Sequence, residues 1–197
     1  MGIETIMVKD LREKTGAGVL DCKKALEHTN GDLEKAIQYL REKGLVGAAK
    51  KAGRATGQGV VTAYIHPGSR VGVMVELNCE TDFVARLDEF QALAHDIAMQ
   101  VAASKPEWGS SDDVPADIVQ RERDIYRKQA EAEGKPPKAI DNIVDGRLKK
   151  YFSEFCLLEQ PFIKNPDQAI KDIITAKIAT TGENIRVSRF IRYELGK

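Results

Sequence analysis

A chain of 197 residues holds one full domain with a small satellite, and buries enough surface to fold without disulfide or metal staples. Lys plus Arg and Asp plus Glu both count 30, so the formal net charge is zero; direct nucleic-acid binding is disfavoured, because phosphate neutralisation needs a surplus of Lys and Arg. Cys22, Cys79 and Cys156 lie far apart without CxxC or paired-histidine spacing, which argues against a disulfide framework or zinc site and for a reducing, cytoplasmic compartment.

The opening residues carry acidic side chains and lack the apolar core of a signal peptide. No window approaches the roughly eighteen apolar residues of a membrane span, so no membrane partner is expected. Met1-Gly2 is followed by Ile6 where a myristoylation motif needs Ser or Thr. From Ile3 to Lys43 apolar residues recur at helical spacing in three bursts, broken at Gly16–Gly18 and Asn30–Asp32. Three helices are predicted, with inner faces at Ile6 and Leu11, then Val19, Cys22 and Leu26, then Leu33, Ile37 and Leu40. Asp32 suits an N-cap and Gly44 the residue that ends the third helix, which closes a three-helix module at residues 1–44.

Residues 45–59, rich in Ala, Gly and Lys, have the composition of a tether between modules, with room for a helical part. The remaining residues, 60–197, form the predicted α+β core, which opens with a β-hairpin. Its β-branched runs are Val60–His66 and Val71–Cys79, joined by a Pro-Gly reversal. Phe83, Leu87, Phe90, Ala94, Ile97 and Val101 then follow one helical face and predict a single long helix. Pro115 marks the start of a charged helix running to Gly134, and a second helix from about Ala139 to Leu158 pairs with it as a helical hairpin. A last helix, roughly Asp167 to Thr180, leads to a strand in which Ile185, Val187, Arg189, Ile191 and Tyr193 alternate with Arg186, Ser188, Phe190, Arg192 and Glu194. That strand is expected to join the hairpin's sheet.

No catalytic or cofactor constellation emerges. His28, His66 and His95 lack metal-ligand spacing, and no GxxxxGK[ST] or strand-linked GxGxxG is present to cradle phosphate. Glu76, Glu80 and Asp82 cluster near the strand end and could serve an acid–base pair, yet carboxylates there more simply solvate a loop and cap a helix. Phe83 falls in phase with the apolar face, so periodicity alone assigns it to the core.

Two segments carry a resemblance. Val8–Gly44, with its TGAG turn and following CKKAL helix, and Gly72–Arg86, GVMVELNCETDFVAR, closely resemble the elongation factor Ts family, and the similarity continues to the terminal GENIRVSRFIRYELG. The resemblance implies that the N-terminal module has a ubiquitin-associated-like fold and docks on the GTPase domain of elongation factor Tu through Gly18, Val19, Leu20 and Lys23. It also implies that Thr81, Asp82, Phe83 and Val84 disturb the magnesium site of elongation factor Tu, so that the protein acts as a non-enzymatic guanine-nucleotide exchange factor in translation elongation. The brief region from Val101 to Pro115 resembles short members of the family, which implies a homodimer through the final strand or the helical hairpin; Cys156 would have to serve any covalent version, and a noncovalent one is favoured. The alternative is a peptide-binding adaptor built on the ubiquitin-associated-like module, without exchange activity.

Overall fold

In the computed structural model, which describes residues 5–197, glycines and caps divide the N-terminal segment into helices α1 Thr5–Thr15, α2 Val19–His28 and α3 Leu33–Lys51. Ile3 and the Met1-Gly2 opening lie outside the described residues. Strands β1 Gln58–Ile65 and β2 Val71–Cys79 form the expected hairpin, and helices α4 Asp82–Ala85 and α5 Asp88–Ser104 follow. Helices α6 Ala116–Ala132 and α7 Pro137–Phe155 make the helical hairpin, after which strands β3 Pro161–Phe162 and β4 Asn165–Ala169 pair antiparallel. Helix α8 Ile170–Thr181 and strand β5 Arg186–Glu194 complete an α+β chain.

Gly16, at φ 67°, ends α1 and donates its N–H to Arg12 O at 2.8 Å, while Asn30 and Gly31, both at positive φ, end α2. Asp32 caps α3 as expected, its carboxylate accepting the Lys35 N–H at 3.0 Å. Leu11, Cys22, Ala25, Leu26 and Ala36 are fully buried here, with Leu33, Ile37 and Leu40 packed around them. Ile6 is a correction: it is 76% exposed, because five residues of helix place it about 140° from Leu11.

Gly44 is a second correction, since α3 runs through it to Lys51. A Cβ at Gly44 would stand 3.6 Å from that of Ala179, so the position lies close against α8, where Arg41 also pairs with Asp172 at 2.7 Å. This packing, with the good helix formers Ala48, Ala49, Lys50 and Lys51, outweighs the roughly 1 kcal/mol that glycine costs inside a helix. The first part of the segment expected as a tether, residues 45–51, is therefore helix, and residues 52–57 connect it to β1.

In the three-stranded sheet the order is β1-β2-β5, so β2 is central. The chain divides into two compact units. One comprises the N-terminal helices through Thr62 with Val75–His95 and Asp172–Ser188; the other comprises Ala63–Met74, Asp96–Lys171 and Arg189–Lys197. In the first, Val75, Leu77, Phe90, Ala94, Ile174 and Ile178 are buried. In the second, Ala130, Ile140, Val144 and Leu148 fill the α6–α7 seam, and Arg127–Asp141 and Arg123–Asp145 ion pairs run along its outside at 2.6 and 2.9 Å. A buried amide pair, Gln100 to Gln160 at 3.1 Å, also belongs to this unit.

Candidate functional site

β2 leaves the sheet at Cys79, and within three residues the chain begins α4. Thr81 has extended backbone (φ −125°, ψ 157°), and its hydroxyl accepts the Val84 N–H at 3.4 Å, the geometry of an N-cap. A helix of only four residues turns successive side chains by about 100° each, so its members cannot all face inward. Val84 (8% exposed) and Ala85 take the core positions, and Phe83 is left 78% exposed.

The helical phase that assigned Phe83 to the core does not survive the step from α4 to α5. At Arg86–Leu87 the helix breaks, and the carbonyl of Ala85 is satisfied instead by the Gln91 side chain, which donates to it at 2.7 Å. From Phe90 onward the expected face holds, with Phe90, Ala94, Ile97 and Val101 fully buried. Asp82 pairs with Arg86 at 2.8 Å on the surface, an interaction worth little to stability.

The turn is gripped from a distant part of the chain. The Glu183 carboxylate accepts the N–H groups of Glu80 and Thr81 at 3.1 and 3.0 Å and the Thr81 hydroxyl at 2.6 Å. In return, Glu80 Oε1 accepts the backbone N–H of Asn184 at 2.6 Å. The Asn184 amide, itself buried, donates to the carbonyls of Ala52 and Arg54 just beyond α3 at 3.2 and 3.0 Å. The Cys79 thiol donates to Thr81 O at 3.1 Å; burial, and then the Glu183 charge, push its pKa above the usual thiol value and keep it a donor. Sequence reasoning passed over Glu183 and Asn184 as connecting residues, and nothing in their local spacing signals a bond across a hundred positions.

The three carboxylates considered for acid–base work have separate partners. Glu76 accepts from Asn78 at 3.2 Å, Glu80 from Asn184 and Arg54, and Asp82 from Arg86. Among the described residues no group of three or more His, Cys, Asp or Glu side chains is placed to hold a metal ion.

In the N-terminal module, Gly18 is the extended residue before α2, and its carbonyl accepts the Cys22 N–H at 2.9 Å. Cys22 points inward, whereas Val19 is 51% and Leu20 72% exposed. Lys23, one turn beyond Leu20, is also on the surface and lies 4.0 Å from Glu27. Both this group and the Phe83 turn belong to the same compact unit.

The second unit carries a different kind of surface. Ile65, Met74, Ile191, Tyr193 and Leu195 are exposed large apolar side chains on or just beyond the sheet strands. The alternation expected along β5 changes phase near Arg189, so that Phe190, Arg192 and Glu194 turn inward and Ile191 and Tyr193 outward. Cys156 is fully buried and its thiol is pushed up to about 12 by burial, which leaves it protonated and out of reach of a second chain. No helix among the described residues is long and apolar enough to cross a membrane.

A family model described as Elongation factor TS matches residues 6–197. Elongation factor Ts of Carboxydothermus hydrogenoformans is 61% identical over 195 residues, covering 99% of this chain and 90% of the relative. The proteins of the same name from Heliobacterium modesticaldum and Thermodesulfovibrio yellowstonii are 58% and 55% identical, covering 99% and 100% of this chain and 91% and 98% of their own lengths.

Proposed function

The chain belongs to the elongation factor Ts family, and from that premise we propose that it is the guanine-nucleotide exchange factor of elongation factor Tu in translation elongation. The observation that carries the reading is Phe83, a 78% exposed ring on a one-turn helix whose base is tied down by hydrogen bonds. Free in water, such a ring forgoes the roughly 1.5–3 kcal/mol that burial would yield, and a pocket on a partner can recover it.

The protein breaks no bond. It binds nucleotide-free elongation factor Tu more tightly than the GDP form, and reciprocity of linkage then requires that it weaken GDP by the same factor. Phe83, set between Thr81, Asp82 and the buried anchor Val84, presses into the GTPase domain and disturbs the magnesium ion that holds the diphosphate. The module at residues 1–44 docks on the same domain through Gly18, Val19, Leu20 and Lys23. Two copies of the chain pair noncovalently, and the exposed sheet face with Ile65, Met74, Ile191 and Tyr193 supports that reading better than Cys156 supports a covalent one.

Release of labelled GDP from elongation factor Tu tests the proposal. Phe83→Ala should slow stimulated release by about tenfold to about a hundredfold, the rate equivalent of the lost burial, while thermal unfolding stays unchanged. Undiminished release would overturn the role of Phe83.

A further inference from the structure

We propose that Glu183 is a positioning residue of the exchange site: its carboxylate, arriving from the α8–β5 turn, holds the Thr81 cap and so aims Phe83. The inference rests on the reading of Phe83 given above. Its starting point is that a four-residue helix cannot hold itself in shape, because the first turn of a helix is the costly one. Whatever fixes the direction of Phe83 must come from outside α4.

Glu183 is the group so placed. One carboxylate oxygen takes the Glu80 and Thr81 N–H groups; the other takes the Thr81 hydroxyl proton at 2.6 Å. With its proton committed there, the hydroxyl turns a lone pair toward the Val84 N–H, and the cap is oriented. Glu80 answers by accepting the Asn184 N–H, so neighbouring residues of the two turns hold each other reciprocally. Charge-assisted bonds of this kind are short and directional, which suits a support more than a flexible tether. A ring on a loose turn would have to lose that freedom on meeting its partner, at the expense of the contact energy available for loosening GDP.

Four variants separate this role from a merely structural one. Glu183→Ala should lower the saturating rate of stimulated GDP release at least about tenfold while the half-saturating concentration moves less than about threefold, because the N-terminal docking residues are untouched. Glu183→Gln should restore most of the rate: its amide oxygen can accept the two N–H groups and its amide nitrogen can donate to the Thr81 oxygen. Thr81→Val, which keeps the side-chain shape and removes the gripped hydroxyl, should reproduce the Glu183→Ala loss even if that variant folds poorly. In a Phe83→Ala background, Glu183→Ala should add nothing, because both act through one ring.

If Phe83→Ala slows release and Glu183→Ala does not, the inference falls and the reading of Phe83 stands. If Phe83→Ala is itself without effect, both fall. Additive losses in the double variant, or a Glu183→Ala loss that Glu183→Gln fails to rescue, would likewise overturn the positioning role.

Discussion

Phe83 is one ring lifted off a short helix that distant polar groups hold rigid, whereas Ile65, Met74, Ile191 and Tyr193 lie on a sheet as a broad apolar face. A single projecting side chain on a stiff base concentrates contact energy at one point of a partner, which suits disturbing a metal site. A broad face spreads it over area, which suits a second large surface. Their supports differ accordingly. The turn depends on bonds between residues about a hundred positions apart, while the sheet face depends on strand pairing and on the charged end of β5.

The largest effect is expected where the turn's own strand is undermined. Gly59 in β1 has φ 147°, and a Cβ there would collide with the carbonyl oxygen of Leu77 in β2, two residues before Cys79. Gly59→Ala therefore combines backbone strain with overpacking against a main chain that cannot yield, and should cost about 3 kcal/mol or more. Urea unfolding followed by circular dichroism would read it as a lowered midpoint. A variant as stable as the parent would mean that β1 and β2 accommodate the methyl group, and that the base of the turn is softer than its geometry implies.

A smaller effect separates the flat face from the wedge. Ile191→Asp puts a charge on an outward, 47% exposed position of β5, where the folded monomer loses little packing, yet in a pair of copies it would bury an unpaired carboxylate. Dimer dissociation should strengthen by at least about tenfold, with stimulated GDP release per monomer within about twofold of the parent. Sedimentation equilibrium measures the first and labelled GDP the second. An unchanged association constant would remove the sheet face from the proposed dimer.

Periodicity read well where one element meets one core. The three N-terminal helices, the β1–β2 hairpin, the α6–α7 pair and the buried face of α5 from Phe90 onward follow apolar spacing that is local by nature. It failed at Arg86–Leu87, where the chain changes direction without a Gly or Pro to mark the change, and where contacts from distant residues decide the outcome. The break at Arg86–Leu87 is closed by a Gln91 side chain, so one helical phase ran on through Phe83. Asn165–Ala169, assigned partly to a helix, has no β-branched residue and forms β4 by pairing with β3. Gly44 ends no helix because α8 packs against it, a tertiary fact with no local trace. Glu183 and Asn184 were illegible for the same reason, since their partners are Glu80, Thr81 and the end of α3.

The smallest effect concerns the anchorage of the flat face, and its sign follows from Glu194. This carboxylate ends β5 beside outward-facing Tyr193, and Arg192 bonds it at 2.8 Å, with Lys105 and Lys197 at 3.3 and 3.4 Å. The Arg192 hydrogen bond, helped by the two lysines, holds its pKa down to about 2 from an ordinary 4.5. A carboxylate whose folded value lies below its unfolded one stabilises the fold above the unfolded value and loses that contribution as pH falls through the folded one. The contribution of Glu194 is therefore complete above pH 4.5 and disappears between there and about 2. Because two of the three cations, Lys105 and Lys197, are exposed and screened by salt, the effect is small, and Glu194→Gln should lower the urea midpoint modestly near neutrality. The difference from the parent should shrink steadily through that acid window and be largest at low ionic strength. A gap that persisted unchanged at the acid end would show that Glu194 acts through shape, not charge, and that the end of β5 is held by its strand pairing alone.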